Sequence, residues 1–106
     1  MPCLEEIRYG DIGTIFRGTF YDEAGAIQSI SDATSKYMIF RKPGGTVVWK
    51  TGSFFTDGSD GKLQYTTVSG DLNEVGKWQL QPRVITPSGE WTADIEEFFV
   101  GRVLWA

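Results

Sequence analysis

The segment TDGSDGKLQYTTVSGDL holds three aspartates and three glycines, the residue types that build calcium loops and also β-turns. An EF-hand loop places oxygen ligands at alternate positions, with a glycine near its centre and a glutamate at its end. Counted from Asp57, Lys62 occupies the glycine position and Val68 the glutamate position. A count from Asp60 puts Lys62 at a ligand position. We therefore interpret residues 57–61 as a turn that needs no metal.

Groups that perform catalytic proton transfer are scarce in the sequence. Histidine is absent, so Ser–His or Cys–His activation is not available, and Cys3 is a single cysteine near the terminus. Glu96 and Glu97 are adjacent carboxylates, but neighbours in a strand point to opposite faces. Asp94 and Glu96 share a face without a second acidic cluster opposite them. The sequence therefore predicts a protein that is not an enzyme and has no cofactor or metal.

Four tryptophans offer a different chemistry, because an exposed indole face stacks on sugar rings. Trp78 lies on the apolar face of its segment, which predicts burial in the core. Trp49 and Trp91 lie near turns, where exposure would make a platform, although burial is the commoner fate of a strand tryptophan. A carbohydrate-binding β-sandwich module is therefore the alternative function.

Length and charge limit the classes of function further. The chain of 106 residues has the size of one domain, and 41% of its residues are hydrophobic. Its net charge is −4, so the surface does not attract phosphate, and we expect no nucleic acid and no anionic membrane as partners. The sequence shows neither a long apolar run nor a secretory signal.

Alternation of apolar and polar residues predicts strands along the whole chain. It is clearest in TIFRGTFY, in GKWQLQPRVIT, and on both sides of the turn at residues 43–45 in KYMIFRKPGGTVVWK. About seven such strands, with no long amphipathic helix, predict an all-β fold of one domain, an immunoglobulin-like antiparallel β-sandwich. The predicted core contains Phe16, Phe20, Ile39, Leu63, Tyr65, Trp78, Leu80, Val84 and Phe98.

Three local features interrupt this pattern. SGDLNEVG predicts one helical turn, capped by Ser69 or Asp71, whose Leu72 and Val75 plug an end of the sandwich. Pro82 cannot donate to a ladder, which indicates an edge, a bulge or an interrupted strand. The last strand, residues 91–103, changes parity, and a bulge at residues 96–97 would explain the change.

Several stretches carry a resemblance to a known family. They are GDIGTIFRGTFYDEAG, DATSKYMIFRKPGGTVVWKTG, TDGSDGKLQYTTVSGDLNEVGKWQLQPRV and the closing FFV. Together they resemble the small immunoglobulin-like domain of tailed-phage virion proteins, notably the amino-terminal domain of baseplate upper proteins. The resemblance covers roughly residues 10–100, and its most specific parts are residues 10–11, 42–46 and 60–78.

The resemblance implies a bacteriophage virion protein, made in the cytoplasm of a bacterial host. Baseplate upper proteins continue into a long trimerising region, whereas this sequence stops at Ala106, so the resemblance implies a stand-alone module. Its expected partners are other phage structural proteins in the tail, baseplate or fibre attachment, or on the capsid as a decoration protein. A homo-oligomer or a lattice-bound form is expected.

The segment Tyr-Met-Ile-Phe, residues 37–40, suggests where such contacts lie. It is apolar at both parities, whereas a two-layer sandwich covers only one face of a strand. We therefore expect Tyr37 and Ile39 to lie in a protein interface.

The two chain ends suggest a second interface. Val103, Leu104 and Trp105 follow the last strand without a charged residue to end it, so they either contact a neighbour or fold back on the domain core. We predict terminal arms at residues 1–9 and 101–106, flanking a sandwich of residues 10–100.

Overall fold

The computed structural model describes residues 7–104, and every regular element in that range is a β-strand. The strands, in chain order, are β1 (Ile15–Thr19), β2 (Ser35–Arg41), β3 (Val47–Thr51), β4 (Ser53–Phe54), β5 (Lys62–Thr66), β6 (Gly76–Thr86), β7 (Gly89–Thr92) and β8 (Glu96–Val100). Within residues 7–104, no helix has the length and apolar character that a membrane span requires.

The strands form two antiparallel sheets. The smaller sheet has the order β1-β5-β4, and the larger has the order β3-β2-β6-β7, with β8 also paired to β6. In immunoglobulin-like sandwiches, the second strand pairs with the fifth and the third with the sixth, and variable-type domains add a strand beside the third. Pairing of β1 with β5 and of β2 with β6, with β3 beside β2, follows this order from the second strand onward. The predicted all-β sandwich is confirmed, with eight strands.

The hairpin between β2 and β3 forms where the sequence predicts it. The Lys42 N–H donates to the Thr46 carbonyl at 2.8 Å, and the Gly45 N–H donates to the Lys42 carbonyl at 2.8 Å. Gly45 has φ of 98°, a conformation that a side chain with a Cβ rarely adopts. The glycine is therefore required by the geometry of this turn.

Aromatic side chains join the two sheets in place of a disulfide. The rings of Phe16 and Phe98 have centroids 4.5 Å apart, and the Trp78 ring stacks on Phe98 at 5.8 Å. Phe40 contacts Phe16 edge-on at 5.5 Å. Such aromatic pairs contribute about 0.5–1.5 kcal/mol each beyond their burial. This cluster supplies the inter-sheet contact that paired cysteines make in antibody domains.

Most of the predicted core is confirmed. Six of its residues are buried, namely Phe16, Phe20, Leu63, Trp78, Leu80 and Val84, while Tyr65 and Phe98 are half-buried and pack against them. The prediction for Ile39 is wrong, because β2 turns Met38 and Phe40 inward and leaves Ile39 half-buried on the outer face. The prediction omitted other buried hydrophobic residues, which are Ile7, Ile30, Met38, Phe40 and Val100.

Pro82 lies in the middle of β6, a central strand of 11 residues. Its carbonyl accepts the Ala93 N–H at 2.9 Å, and a strand residue points its N and C=O to the same side. The missing N–H therefore faces the gap between β7 and β8, which pair with different halves of β6. The sequence predicted an edge strand, a bulge or an interrupted strand at Pro82, and none of these describes β6. The break lies instead between β7 and β8, the two strands that pair with it.

Two other local predictions are wrong. The last strand is divided into β7 and β8 by residues 93–95, and the register of β8 against β6 runs without a bulge at residues 96–97. Residues 69–75 contain no helical turn. Instead, the Asp71 carboxylate accepts the Val68 N–H at 2.9 Å, which closes a tight turn. Leu72 is buried as predicted, whereas Val75 is exposed.

The inner ends of both predicted arms contact the sandwich. Ile7 is buried, and its carbonyl accepts the Gly101 N–H at 2.8 Å. The Tyr9 N–H donates to the Gly101 carbonyl at 3.0 Å, which forms a parallel bridge between Arg8 and Gly101. Ordered contacts of the domain therefore extend beyond the predicted limits of residues 10–100.

A close approach of the two sheets at Gly18 predicts a sensitive position. A Cβ placed on Gly18 of β1 would lie 2.2 Å from Cγ of Pro82 in β6. We therefore expect Gly18→Ala to reduce the free energy of unfolding by about 1–3 kcal/mol, since overpacking forces backbone shifts. Urea unfolding measures the change.

Two matched variants test this explanation. Gly44→Ala is the control, because its Cβ would meet only a flexible Glu74 oxygen at 3.3 Å. Adding Pro82→Ala to Gly18→Ala should recover part of the loss by removing the clashing ring. Equal effects of Gly18→Ala and Gly44→Ala would contradict the close approach.

Candidate functional site

The outer face of the larger sheet carries an apolar band that residues 7–104 leave partly uncovered. Because successive strand residues face opposite sides, Tyr37 and Ile39 of β2 point outward. The hairpin register places Trp49 opposite Ile39, and Val47 opposite Arg41, on the same face. Trp49 is 54% exposed and Val47 is 51% exposed. We call Tyr37, Ile39, Val47 and Trp49 the outer apolar band.

Tyr37 and Trp49 form the aromatic centre of this band. Their ring centroids lie 5.2 Å apart, with the rings inclined at 69°. This edge-to-face contact holds the indole of Trp49 against the sheet while about half of it stays in water. A flat platform of two parallel rings is not formed.

The band borders an edge of the sheet at which no further strand of residues 7–104 pairs. β3 is the terminal strand of the larger sheet. The Thr46 carbonyl and the Gly52 N–H both bond toward β2, so the backbone groups of Val47, Trp49 and Thr51 point away from it. Unpaired backbone groups beside exposed apolar side chains are the features that strand pairing with another chain uses.

The neighbouring part of the outer face is polar and already hydrogen-bonded. Gln81 Nε2 donates to the Ala93 carbonyl at 2.9 Å. Arg83 donates to Thr92 Oγ1 at 2.9 Å and forms an ion pair with Glu90. Since these groups are satisfied within the domain, the apolar band gains more from burial than this polar part of the face does.

Asp71 ties the turn after β5 to both sheets. Its carboxylate accepts the Tyr65 hydroxyl of β5 at 2.5 Å and the Val68 N–H at 2.9 Å, and it pairs with Lys50 Nζ of β3 at 3.0 Å. Burial opposes ionisation of Asp71, but these hydrogen bonds and the lysine charge outweigh it and lower its pKa. Burial, with the bond to Asp71, raises the pKa of Tyr65 to about 12.

This network is structural in character. The cavity beside it, lined by residues such as Phe40 and Leu72, holds only about 50 Å³. Ligand sites are roughly 300 Å³ or larger, so a substrate does not fit. Both carboxylate oxygens of Asp71 are instead used, one by the Tyr65 hydroxyl and the Val68 N–H and the other by Lys50.

The aspartates of residues 57–61 are also used within their turn. Asp57 accepts the Ser59 hydroxyl at 2.6 Å and its N–H at 3.0 Å, and these bonds lower the Asp57 pKa. Asp60 accepts the Lys62 N–H at 3.1 Å. Across residues 7–104, His, Cys, Asp and Glu side chains nowhere gather in a group of three that could hold a metal ion. That the turn needs no metal stays a prediction.

The acidic side chains of β8 diverge. Glu97 pairs on the outer face with Lys77 at 3.3 Å and accepts Gln79 Nε2 at 3.2 Å, and the Gln79 bond and the lysine lower its pKa. Glu96 lies on the opposite face, as the strand alternation predicts. Cys3 lies outside the described residues.

The predicted terminal interface lies elsewhere on the domain. Val103 is half-buried and Leu104 is fully exposed, and both line an open cleft of about 680 Å³ with Tyr9 and Val75. Trp105 lies outside the described residues. Val103 and Leu104 follow β8 in the chain, whereas Tyr37 and Ile39 lie on β2.

Sequence reasoning missed Val47 and Trp49 as partners of Tyr37 and Ile39. The signal that could have found them is the turn at residues 43–45, because counting outward from it places Ile39 opposite Trp49.

Comparison with known proteins adds no further assignment. No protein-family model matches the chain, and no curated protein matches it either.

Proposed function

We propose that this domain is a non-enzymatic structural module of a tailed-phage virion. It attaches to other virion proteins, or to copies of itself, through the outer apolar band. Its position in the virion is the tail, the baseplate, a fibre attachment or the capsid surface.

The observation that carries the proposal is the exposure of the band. Trp49 is 54% exposed although it sits in a regular strand beside Tyr37 and Ile39. Aromatic residues contribute most of the binding energy in many interfaces, above all at the centre of a patch. Burying the exposed half of a large apolar side chain contributes about 1 kcal/mol to the free energy of binding. A neighbour that covers all four residues of the outer apolar band therefore binds with several times that contribution.

The resemblance to the immunoglobulin-like domain of phage virion proteins supports the particular setting. The strand pairing of this domain agrees with that fold, and a net charge of −4 disfavours nucleic acid as the partner. A small domain that repeats many times in a particle meets the requirements of a symmetric or lattice assembly.

Replacing both aromatic residues of the band tests the proposal. We expect the double variant Tyr37→Ser/Trp49→Ser to enter purified particles roughly tenfold less than the unchanged chain, because loss of an interface tryptophan costs about 2 kcal/mol or more. Quantitative mass spectrometry of particles from a density gradient measures incorporation. Thermal unfolding of the free protein verifies that the variant folds.

Tyr21→Ser is the matched control. Tyr21 is 59% exposed and lies outside the band, so its loss should not change incorporation. Absence of the unchanged chain from particles would refute the virion role, and normal incorporation of a folded double variant would refute the role of the band.

Carbohydrate binding is the second candidate, because the exposed ring of Trp49 contacts the half-buried ring of Tyr37 on the outer face. A sugar module would remain monomeric and change its tryptophan fluorescence with bacterial cell-wall glycans, and Trp49→Ser would remove that change. A glycan response from a protein that does not enter particles would favour this candidate.

A further inference from the structure

A second surface of the domain lies between β1 and β8, on the side away from the outer apolar band. A cleft of about 420 Å³ opens there between the edges of the two sheets. Its lining comes from β1, β6 and β8, namely Ile15, Phe16, Arg17, Leu80, Glu96, Glu97 and Phe98.

The backbone of β1 along this cleft is unpaired within residues 7–104. β1 is the terminal strand of the smaller sheet, and its other side pairs with β5. The Thr14 carbonyl and the Phe20 N–H both bond toward the β5 side, so the groups of Ile15 and Arg17 point into the cleft. A row of free N–H and C=O groups at strand spacing selects an extended chain as its ligand.

The floor of the cleft is apolar. Phe16 and Phe98 meet there with ring centroids 4.5 Å apart, and Leu80 lies beside them. Ile15 at the rim is 47% exposed. An extended chain that pairs with β1 points every second side chain at this floor, so apolar residues at alternate positions fit it.

Glu96 gives the cleft a negative end. Its register opposite Leu80 turns it toward the inside of the sandwich, yet it remains exposed. Unlike Glu97, which pairs with Lys77, it has no hydrogen-bond or ion-pair partner among residues 7–104. A lysine or arginine on the bound chain would complement it.

We propose that this cleft is a docking slot for one extended strand of a partner protein. The strand extends the smaller sheet by pairing with β1, places apolar side chains over Phe16 and Phe98, and presents a basic residue to Glu96. This site is separate from the outer apolar band and does not depend on it.

The width of the slot favours a single segment over a folded copy of this domain. β1 packs over β6 where Gly18 meets Pro82, and β8 flanks β6, so the larger sheet projects one strand beyond β1. A second copy that brought its own β1 edge here would also bring its own β8 into the same space. A terminal or loop segment has no such flanking strand.

Selection from random peptides tests the proposal and does not require the partner to be identified first. The full chain is immobilised and screened against displayed peptides of about eight residues, the length of an ordinary strand. Enriched sequences should alternate apolar residues and carry Lys or Arg. On binding the commonest enriched peptide, the amides of Ile15 and Arg17 should become protected from hydrogen exchange.

Two matched proline variants identify the edge that is used. Ile15→Pro removes a donor that points into the cleft and leaves the β5 ladder intact, so it should weaken peptide binding roughly tenfold or more. Val47→Pro makes the same change at the free edge of β3 and should leave binding unchanged. Glu96→Gln, which touches no described partner, should weaken binding about two- to fivefold, the range of an exposed ion pair.

Each other outcome overturns the proposal. These outcomes are no enrichment, protection at β3 instead of β1, or folded Ile15→Pro and Glu96→Gln variants that bind the peptide as tightly as the unchanged protein does. Enrichment seen only with a variant that lacks residues 1–6 would assign the slot to the chain's own terminus. Protection at β3 alone would instead support the band as the interface, so the two proposals fail separately.

Discussion

Replacing Trp78 with alanine is expected to reduce the free energy of unfolding by about 3–5 kcal/mol. Trp78 is 2% exposed and stacks on Phe98 at 5.8 Å between the two sheets. Its Nε1–H donates to the Glu74 carbonyl at 3.0 Å, so the variant also leaves that carbonyl without its donor. A domain of this size is stable by about 5–15 kcal/mol in total, so the loss is a large fraction. Urea unfolding at neutral pH measures it.

Trp49→Ala is the matched control, because it removes the same side chain from a half-exposed position on the outer face. We expect it to cost about 1 kcal/mol or less. If Trp78→Ala does not fold, Trp78→Phe keeps most of the volume and should show a smaller loss of the same sign. A Trp78→Ala variant that loses less than about 1 kcal/mol would contradict the central position of Trp78.

The parts of the fold that follow from the sequence are those with two unlike faces. β6 alternates Trp78, Leu80 and Val84 with polar residues because one face of the strand meets the other sheet and one meets water. Its assignment needed only this local pattern. The hairpin at residues 43–45 was equally local, since proline and glycine set the turn by themselves.

Ile39 shows where local pattern fails. Residues 37–40 are apolar on both faces, so alternation does not say which pair points inward. Pairing with β6 decides it, because Phe40 lies opposite buried Leu80 while Ile39 lies opposite Gln81. The correct choice therefore depended on a strand about 40 residues away in the chain, beyond any local rule.

Long-range partners also explain the missed turn and the missed break. The residues next to Asp71 in the sequence predict that it caps a helical turn. In the structure, Lys50 of β3 and Tyr65 of β5 bind its carboxylate and hold it in a turn that is not helical. The sequence shows the parity change before Phe98. It does not show the cause, which is that two short strands, β7 and β8, pair with different parts of β6.

The candidate site was predictable only in part for the same reason. Tyr37 and Ile39 were found because their strand is apolar on both faces, whereas Val47 and Trp49 join them only through register. The cleft between β1 and β8 had no sequence signal, since a free edge is defined by which strands do not pair.

Removing the Asp71 carboxylate should cost about 2–3 kcal/mol at neutral pH, because Asp71→Ala leaves Lys50 and the Tyr65 hydroxyl without their shared acceptor. The side chain of Asp71 is only 8% exposed, and it joins β3, β5 and the turn. Thermal and urea unfolding measure the loss. Asp60→Ala is the control, since Asp60 bonds only within the turn at residues 56–62 and should lose less.

The pH dependence of this contribution has a definite sign. Burial opposes ionisation, but the bonds from Tyr65, Val68 and Lys50 place the pKa of Asp71 in the folded state below its ordinary value of 3.8. The folded state therefore holds its proton less tightly than the unfolded state, and the stabilisation is present above pH 3.8. It is lost as the pH falls through the lowered pKa. Other carboxylates titrate in this range as well, so the informative quantity is the difference between the unchanged protein and Asp71→Asn.

That difference should be largest near neutral pH and should shrink in acid, because both forms are then uncharged at this position. At the alkaline end, burial and the bond to Asp71 raise the pKa of Tyr65 from 10.0 to about 12. The hydroxyl therefore stabilises the folded state fully below pH 10 and loses this effect as the pH approaches 12. Tyr65→Phe should remove the alkaline part of the profile and reduce the acid part, because the Tyr65 hydroxyl is one of the groups that lower the pKa of Asp71. A difference between the unchanged protein and Asp71→Asn that stays constant from pH 3 to pH 7 would show that the ionised carboxylate does not hold the two sheets together.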